Sequence, residues 1–439
     1  MRFSTSTLVT IPVGMVVLGG TSCSECPCDQ GDASYCNSVD ADAATDTATD
    51  LAPPPVEVCN FADDDGDGVV DEGSHWVASP WRTVLATTRF AGLSGALALD
   101  DGSLVVVGDD QIGAPSGDRV LVLRATPSGN VLAGPRYIPV PLAGGGTAGF
   151  SRLGDDKLAV VFGSTDYAGC KHGCPVTVAT FELAGLVPLT QLQLDLPFLP
   201  GWYGTVACGK EVCAALIKDA IDTASPYHMV WFRAADGVVV KDIAAPAGAT
   251  PGLVYDYHLA GRGDRFAWTA SVPDSQGNDM RRLMFGVYSA GEALELTAPV
   301  TVATEANIQV NARMVWTDAG VFIAYQAGED GAREGRAVLV AEDGTLLVGP
   351  TPFAGGDAEL MSVAQIGGSF FALTSQPPTF SWDLYQITGS LEVTGEGKPM
   401  LSGYDTLPSV DLVAFPGGLV IARGRYDGRT IELARIRCP

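Results

Sequence analysis

The chain is short of the residues that usually carry chemistry. It has only four histidines, His75, His172, His228 and His258, in 439 residues. No HExxH, GxSxG or Walker-type phosphate loop occurs, so the common zinc-peptidase, serine-hydrolase and nucleotide-hydrolase signatures are excluded. Asp-box, PQQ-type tryptophan and WD signatures are absent too, so no enzymatic family of repeat β-proteins is indicated. Charge is sparse and one-sided. Charged residues make up 18%, and Lys+Arg number 26 against Asp+Glu 51, a net charge of −25. Such a chain repels phosphate backbones and anionic headgroups, so neither nucleic acid nor an anionic lipid surface is expected as a partner. The acidity reads as solubility plus cation binding. No segment keeps a helical period over a useful length.

What the chain does have is a repeat. A hydrophobic triplet after a tight polar turn returns seven times: DDGSLVVVG, GDDKLAVVF, GKEVCAAL, GDRFAWTA, DAGVFIAY, GGSFFALT and PGGLVIAR. The first apolar residues are Leu104, Leu158, Val212, Phe266, Val321, Phe370 and Leu419, in steps of 54, 54, 54, 55, 49 and 49 residues. A fixed period of this size marks repeated supersecondary units. Each unit reads as four short strands with Gly-containing turns. In the first these are 94–100, 103–108, 119–126 and 131–140. The expected fold is all-β: a seven-bladed β-propeller of four-stranded blades over residues 76–439. The seventh unit lacks its outer strand. Residues 81–88 (WRTVLATT) are the expected replacement, because closing the ring with an N-terminal strand removes an exposed edge.

The N-terminus carries a targeting segment, residues 1–22. Arg2 precedes a 13-residue apolar stretch, 8–20, too short to span a bilayer and the right length for a signal h-region. Gly20-Thr21-Ser22-Cys23 resembles a bacterial lipobox, with Gly20 where such motifs carry Leu. The resemblance implies lipidation at Cys23, with ordinary secretion as the alternative. Ser24 after the cysteine is similar to outer-membrane sorting signals. Membrane attachment is expected only through that lipid. Residues 23–56 are Cys-rich, then acidic and proline-ended, with too few large apolar residues for a core, and read as a stalk. The ten cysteines suit an oxidising compartment. Cys170/Cys174 and Cys208/Cys213 are expected disulfide pairs, the second across an inner hairpin. A zinc site at CKHGC (170–174) is the alternative, but no second pair completes a tetrahedral set. The pairing of Cys26, Cys28 and Cys36 stays open.

Residues 57–74 contain EVCNFADDDGDGVVDEG. Asp63, Asp65, Asp67 and Asp71 fall at positions 1, 3, 5 and 9 of an EF-hand-like loop, with Gly68 at the sharp turn. The Val69 carbonyl adds a ligand, and Glu72 compensates for Ser74 at the last position. Hard oxygen ligands at this spacing suit Ca²⁺, the expected cofactor. The stretch also resembles an acidic metal-binding motif of secreted, myxobacterial-type proteins, E-x-C-N-G-x-D-D-D-C-D-G-x-V-D-E. Glu57, Cys59, Asn60, Asp63, Asp64, Asp65, Asp67, Gly68, Val70, Asp71 and Glu72 match, while Phe61 replaces the first Gly and Gly66 the second Cys. The resemblance implies an exported or surface protein. With its motif partner gone, Cys59 is expected to pair with Cys438, since both chain segments reach the bottom of the propeller.

Counting eight residues back from each strand-B start reaches Ala96, Phe150, Gly204, His258, Arg313, Ser362 and Asp411 beside the central channel. Asp256 and Asn311 lie two residues before two of these. His258, Arg313 and Asp411, with Asp256 and Asn311, form a candidate polar half-mouth for an anionic or sugar-like ligand. The alternative is a hydrogen-bonded structural network. Long loops between strands B and C on the same face carry Tyr167, Tyr227, Phe380 and Trp382. Three function classes follow. The first is a tethered or secreted monomeric binding module that presents its top loops to a protein or glycan. The second is a secreted hydrolase or lyase at the channel mouth. The third is a structural envelope protein. With no catalytic residues assigned, the binding module is the reading adopted.

Overall fold

The computed structural model describes Phe61 and residues 76–86, 91–110, 119–139, 148–163, 175–198, 200–219, 227–244, 257–274, 280–290, 294–296, 298–308, 314–329, 331–376, 381–394, 398–401, 409–425 and 429–437. The chain divides into two units, Met1–Pro53 and Pro54–Pro439, and every described residue belongs to the second. The signal segment, the stalk, Cys23, Cys170, Cys174, Cys59, Cys438 and the acidic residues 63–72 lie outside the described residues.

Among the described residues every element is a strand, and the strands form seven antiparallel sheets. Blade 1 is typical: Ala91–Ala98, Leu104–Asp110, Arg119–Ala125 and Val131–Pro139 pair in chain order, as strands A to D. Strand A of each blade touches strand A of the next, all the way round and from blade 7 back to blade 1. That closed circuit is a seven-bladed propeller with strand A innermost, as the repeat predicts.

The repeat was visible because of how the blades stack. Each sheet is covered on both faces by its neighbours, so strand B is buried along its length and mostly apolar at successive rather than alternate positions. All seven residues of Leu104–Asp110 are buried, as are all seven of Val321–Ala327. Each large aliphatic side chain so buried contributes roughly 1.5–3 kcal/mol. Strand D faces solvent and is mostly exposed, as in Val131–Pro139. Two blades have split outer strands. In blade 4, Leu294–Leu296 and Val300–Ala306 both pair with Met280–Ala290. In blade 7, Val77–Ala78 and Arg82–Ala86 both pair with the last strand, Thr430–Arg437. The ring is therefore closed by N-terminal strands, one of them inside the expected 81–88.

Aromatic and charged groups reinforce the closure. Trp81, just before Arg82, stacks under the Arg423 guanidinium at 3.7 Å and meets Trp382 of blade 6 edge-on at 6.0 Å. Arg423 is buried and bonds Glu432 Oε2 through Nε at 2.8 Å. The sequence places Trp382 among exposed loop aromatics; it is instead fully buried, on strand C of blade 6, Ser381–Ile387. Phe61 packs on the same side of the ring. Its ring lies 4.6 Å from that of Trp76 and 6.3 Å from that of Phe371, and it touches the blade 7 turn at Gly418. Its φ of 64° is the left-handed region, rare for an aromatic residue. Phe61 thus combines a backbone conformation usual for glycine with a ring packed against Trp76 and Phe371.

Candidate functional site

The candidate polar mouth depends on which strand-A residues are equivalent. Pairing with strand B settles this. His258, Ser362 and Asp411 lie opposite Thr269, Leu373 and Ala422, each the fourth residue from its strand-B start. In blades 1 and 2 the residues opposite the fourth position are Gly95 and Gly149, not Ala96 and Phe150. In blade 3 it is Val206 rather than Gly204. The fixed eight-residue offset fails because the A–B hairpins differ in length. Phe370 and Leu419 face residues five earlier, Gln365 and Ala414, whereas Leu104 and Leu158 face residues six earlier, Ala98 and Arg152. The equivalent ring is therefore glycine or apolar over blades 1 to 3 and polar at His258, Ser362 and Asp411. Asp256, Asn311 and Arg313 lie outside the described residues.

Asp411 sits at the centre of an inter-blade network. It is 3% exposed. Ser362 Oγ of blade 6 donates to Asp411 Oδ1 at 2.7 Å, and the Ala96 amide of blade 1 donates to Oδ2 at 2.9 Å. Two residues earlier on the same strand, Ser409 Oγ accepts the Leu93 amide at 2.9 Å. These amides are available because blade 1 is irregular between Leu93 and Gly95. Gly95 has φ 151°, and a Cβ there would stand 2.7 Å from Asp411 Oδ2. A carboxylate on one blade thus fills the space left by a missing side chain on the next. This single group ties blades 6, 7 and 1 together at the point where the ring closes. His258, half-buried on strand A of blade 4, sits at the equivalent position across the ring.

The predicted Cys208–Cys213 disulfide is present, joining facing residues of the blade 3 A–B hairpin with Cα atoms 4.0 Å apart. Both cysteines are buried. Ser151 Oγ of blade 2 accepts the Cys208 amide at 2.9 Å, so this hairpin is also tied to its neighbour.

One polar pair was not expected from the sequence. His228 Nδ1 lies 2.9 Å from Asp242 Oδ1, and the imidazole stacks on Phe198 at 3.9 Å. The two sit diagonally across strands C and D of blade 3, since His228 faces Ala244. Spacing alone could not find them, because the strand connection sets the diagonal. Among the described residues no cluster of three or more His, Cys, Asp or Glu suits a metal ion.

No family model matches the chain, and no curated protein matches it. Solved structures do. The β-propeller domain of the Trilobed protease from Pyrococcus furiosus aligns at 10% identity and TM-score 0.47, over 79% of this chain and 96% of that one. Kuenenia stuttgartiensis hydrazine synthase aligns at 10% identity and TM-score 0.48, over 80% and 97%. Acylaminoacyl peptidase from Pyrococcus horikoshii aligns at 9% identity and TM-score 0.45 over 76% of this chain, which spans about half of that one, 49%. These are likenesses of fold, and activity does not travel with them.

Proposed function

We propose that the chain is an exported binding module: a rigid seven-bladed propeller, held at the cell surface or secreted, that presents its top-face loops to a protein or glycan. The observation that carries this is the state of Asp411. Both of its oxygens accept hydrogen bonds from neighbouring blades. A channel-mouth acid or base needs an oxygen within reach of the reacting atom, and Asp411 is buried between blades. The buried Cys208–Cys213 bond supports the oxidising compartment that export implies.

In this reading Cys23 is the lipid attachment point, and residues 23–56 are the tether. The acidic loop binds Ca²⁺ through Asp63, Asp65, Asp67, Asp71, Glu72 and the Val69 carbonyl. Metabolic labelling with a palmitate analogue, lost in Cys23→Ala, tests the anchor. Calcium titration of the wild type and of Asp65→Ala/Asp67→Ala tests the loop. A glycan array and a surface pull-down with the full exported chain test the module. A glycosidic or ester substrate turned over by the wild type and not by His258→Ala would replace this reading with the enzymatic one.

A further inference from the structure

The outer faces of blades 1 and 2 border an open cleft of about 260 Å³. The side chains of Arg136 and Ile138 on the blade 1 outer strand form one side, and Phe181 and Leu189 of blade 2 the other. Local structure explains each wall. The blade 2 outer strand is irregular between Pro188 and Thr190, so Leu189 has no facing residue and stands 49% exposed. Phe181 is almost fully buried and forms the floor. The Tyr137 ring turns to the other face of the strand, since Tyr137 lies opposite Leu121 while Arg136 and Ile138 lie opposite Val122 and Val120. Arg119 lies over it at 4.2 Å and is itself fixed by buried Asp110 at 2.6 Å.

Blade 5 provides an internal comparison. Its outer strand, Leu346–Ala354, repeats the Gly-Pro of blade 1: Gly349-Pro350 against Gly134-Pro135. Counting from that pair, Ile138 corresponds to Phe353 and Arg136 to Thr351. Phe353 is 6% exposed and packs on Tyr385 of blade 6, with ring centres 5.9 Å apart. The chain's own aromatic ring therefore fills the blade 5–6 boundary. At the blade 1–2 boundary a smaller Ile138 leaves space, and an arginine stands where blade 5 has a threonine. Arg119, Arg124, Arg152, Arg233, Arg262 and Arg265 each pair with a carboxylate. Among the described residues Arg136 has no carboxylate partner, in a protein of net charge −25.

We propose that this cleft is a binding site for a small carboxylate with a compact apolar body. The carboxylate sits on Arg136, whose planar fork of donors matches two carboxylate oxygens. The apolar body lies against Ile138, Phe181 and Leu189, in the small, mostly apolar kind of pocket that binds such ligands. The site is on the outer rim, so it is independent of any binding at the top face.

The test uses the full exported chain with hydrocinnamate and its uncharged amide, hydrocinnamide, followed by titration calorimetry and ligand-observed NMR. The wild type is expected to bind the carboxylate saturably and about tenfold tighter than the amide, the value of one charge-assisted hydrogen bond. Arg136→Gln should remove that preference and leave amide binding unchanged. Ile138→Phe, which copies blade 5, should abolish binding of both. Arg136 is exposed, so its variant reports on the site without threatening the fold; melting curves check Ile138→Phe. No saturable binding, equal binding of acid and amide, or binding untouched by a folded Ile138→Phe would each overturn the proposal.

Discussion

Replacing Asp411 with alanine should loosen the closed ring, and the size of the effect can be worked out from its contacts. The substitution orphans the Ser362 hydroxyl, on a residue with no exposure, and the Ala96 amide. Each unsatisfied buried group costs about 1–3 kcal/mol. Part of this is offset because a buried charge no longer has to be desolvated. A net loss of about 3 kcal/mol is expected. For a domain of this size that is about a 4 °C drop in melting temperature. Asp411→Asn is the discriminating variant. Its carbonyl oxygen still accepts from the Ala96 amide, and its NH₂ donates to Ser362 Oγ, which can turn and accept. It should cost only about 1 kcal/mol. Adding Ser362→Ala to Asp411→Ala should cost nothing further, because the orphaned hydroxyl is removed with it. Calorimetric melting and urea unfolding of these three variants and of Ser362→Ala alone decide this. Equal damage from Asn and Ala, or simple additivity with Ser362→Ala, would refute the bridging role.

Three further outcomes follow from the structure. Cys208→Ala with Cys213→Ala should lower stability by ~2 kcal/mol, the closure entropy of so short a loop, and reducing agent should then have no further effect on blade 3 protection in hydrogen exchange. Phe61→Ala should cost ~2 kcal/mol, about half the loss for a fully buried Phe, and expose the segment around Trp76 to proteolysis; an unchanged cleavage pattern would mean that Phe61 does not grip the ring. Burial pushes the Glu359 carboxyl up, with Asp357 adding and Arg333 opposing. Its ionised form is therefore penalised in the folded state above the folded pKa, and the penalty vanishes below the unfolded value. Glu359→Gln should stabilise the protein at pH 7 and lose that advantage in acid, which melting curves across pH would reveal.

Much of the architecture was legible in the sequence because stacked blades force strand B to be apolar on both faces. Leu104, Leu158, Val321 and Leu419 stand out for that reason, and every one is fully buried. Even the closing strand was legible, since a blade lacking its outer strand leaves an edge that must be paired. The ring of channel residues was less readable. A count of eight ignores that Leu104 faces Ala98 while Leu419 faces Ala414. A one-residue change in hairpin length turns the other side of the strand toward the channel. Trp382 was misplaced for a related reason: a tryptophan next to a Pro-rich loop reads as exposed, and only the arrival of Trp81 from the other end of the chain shows what covers it.

That arrival has a consequence for how the protein is made. Arg82 pairs with Leu433, and Ala86 with Thr430. A chain that emerges N-terminus first must keep this segment unpaired while all the intervening blades form. Loop-closure entropy is met only at the last step, which makes it slow and leaves a free sheet edge in the meantime. The chain's net charge of −25 keeps such waiting chains apart. Charge that looks like a property of the finished surface thereby protects an unfinished ring.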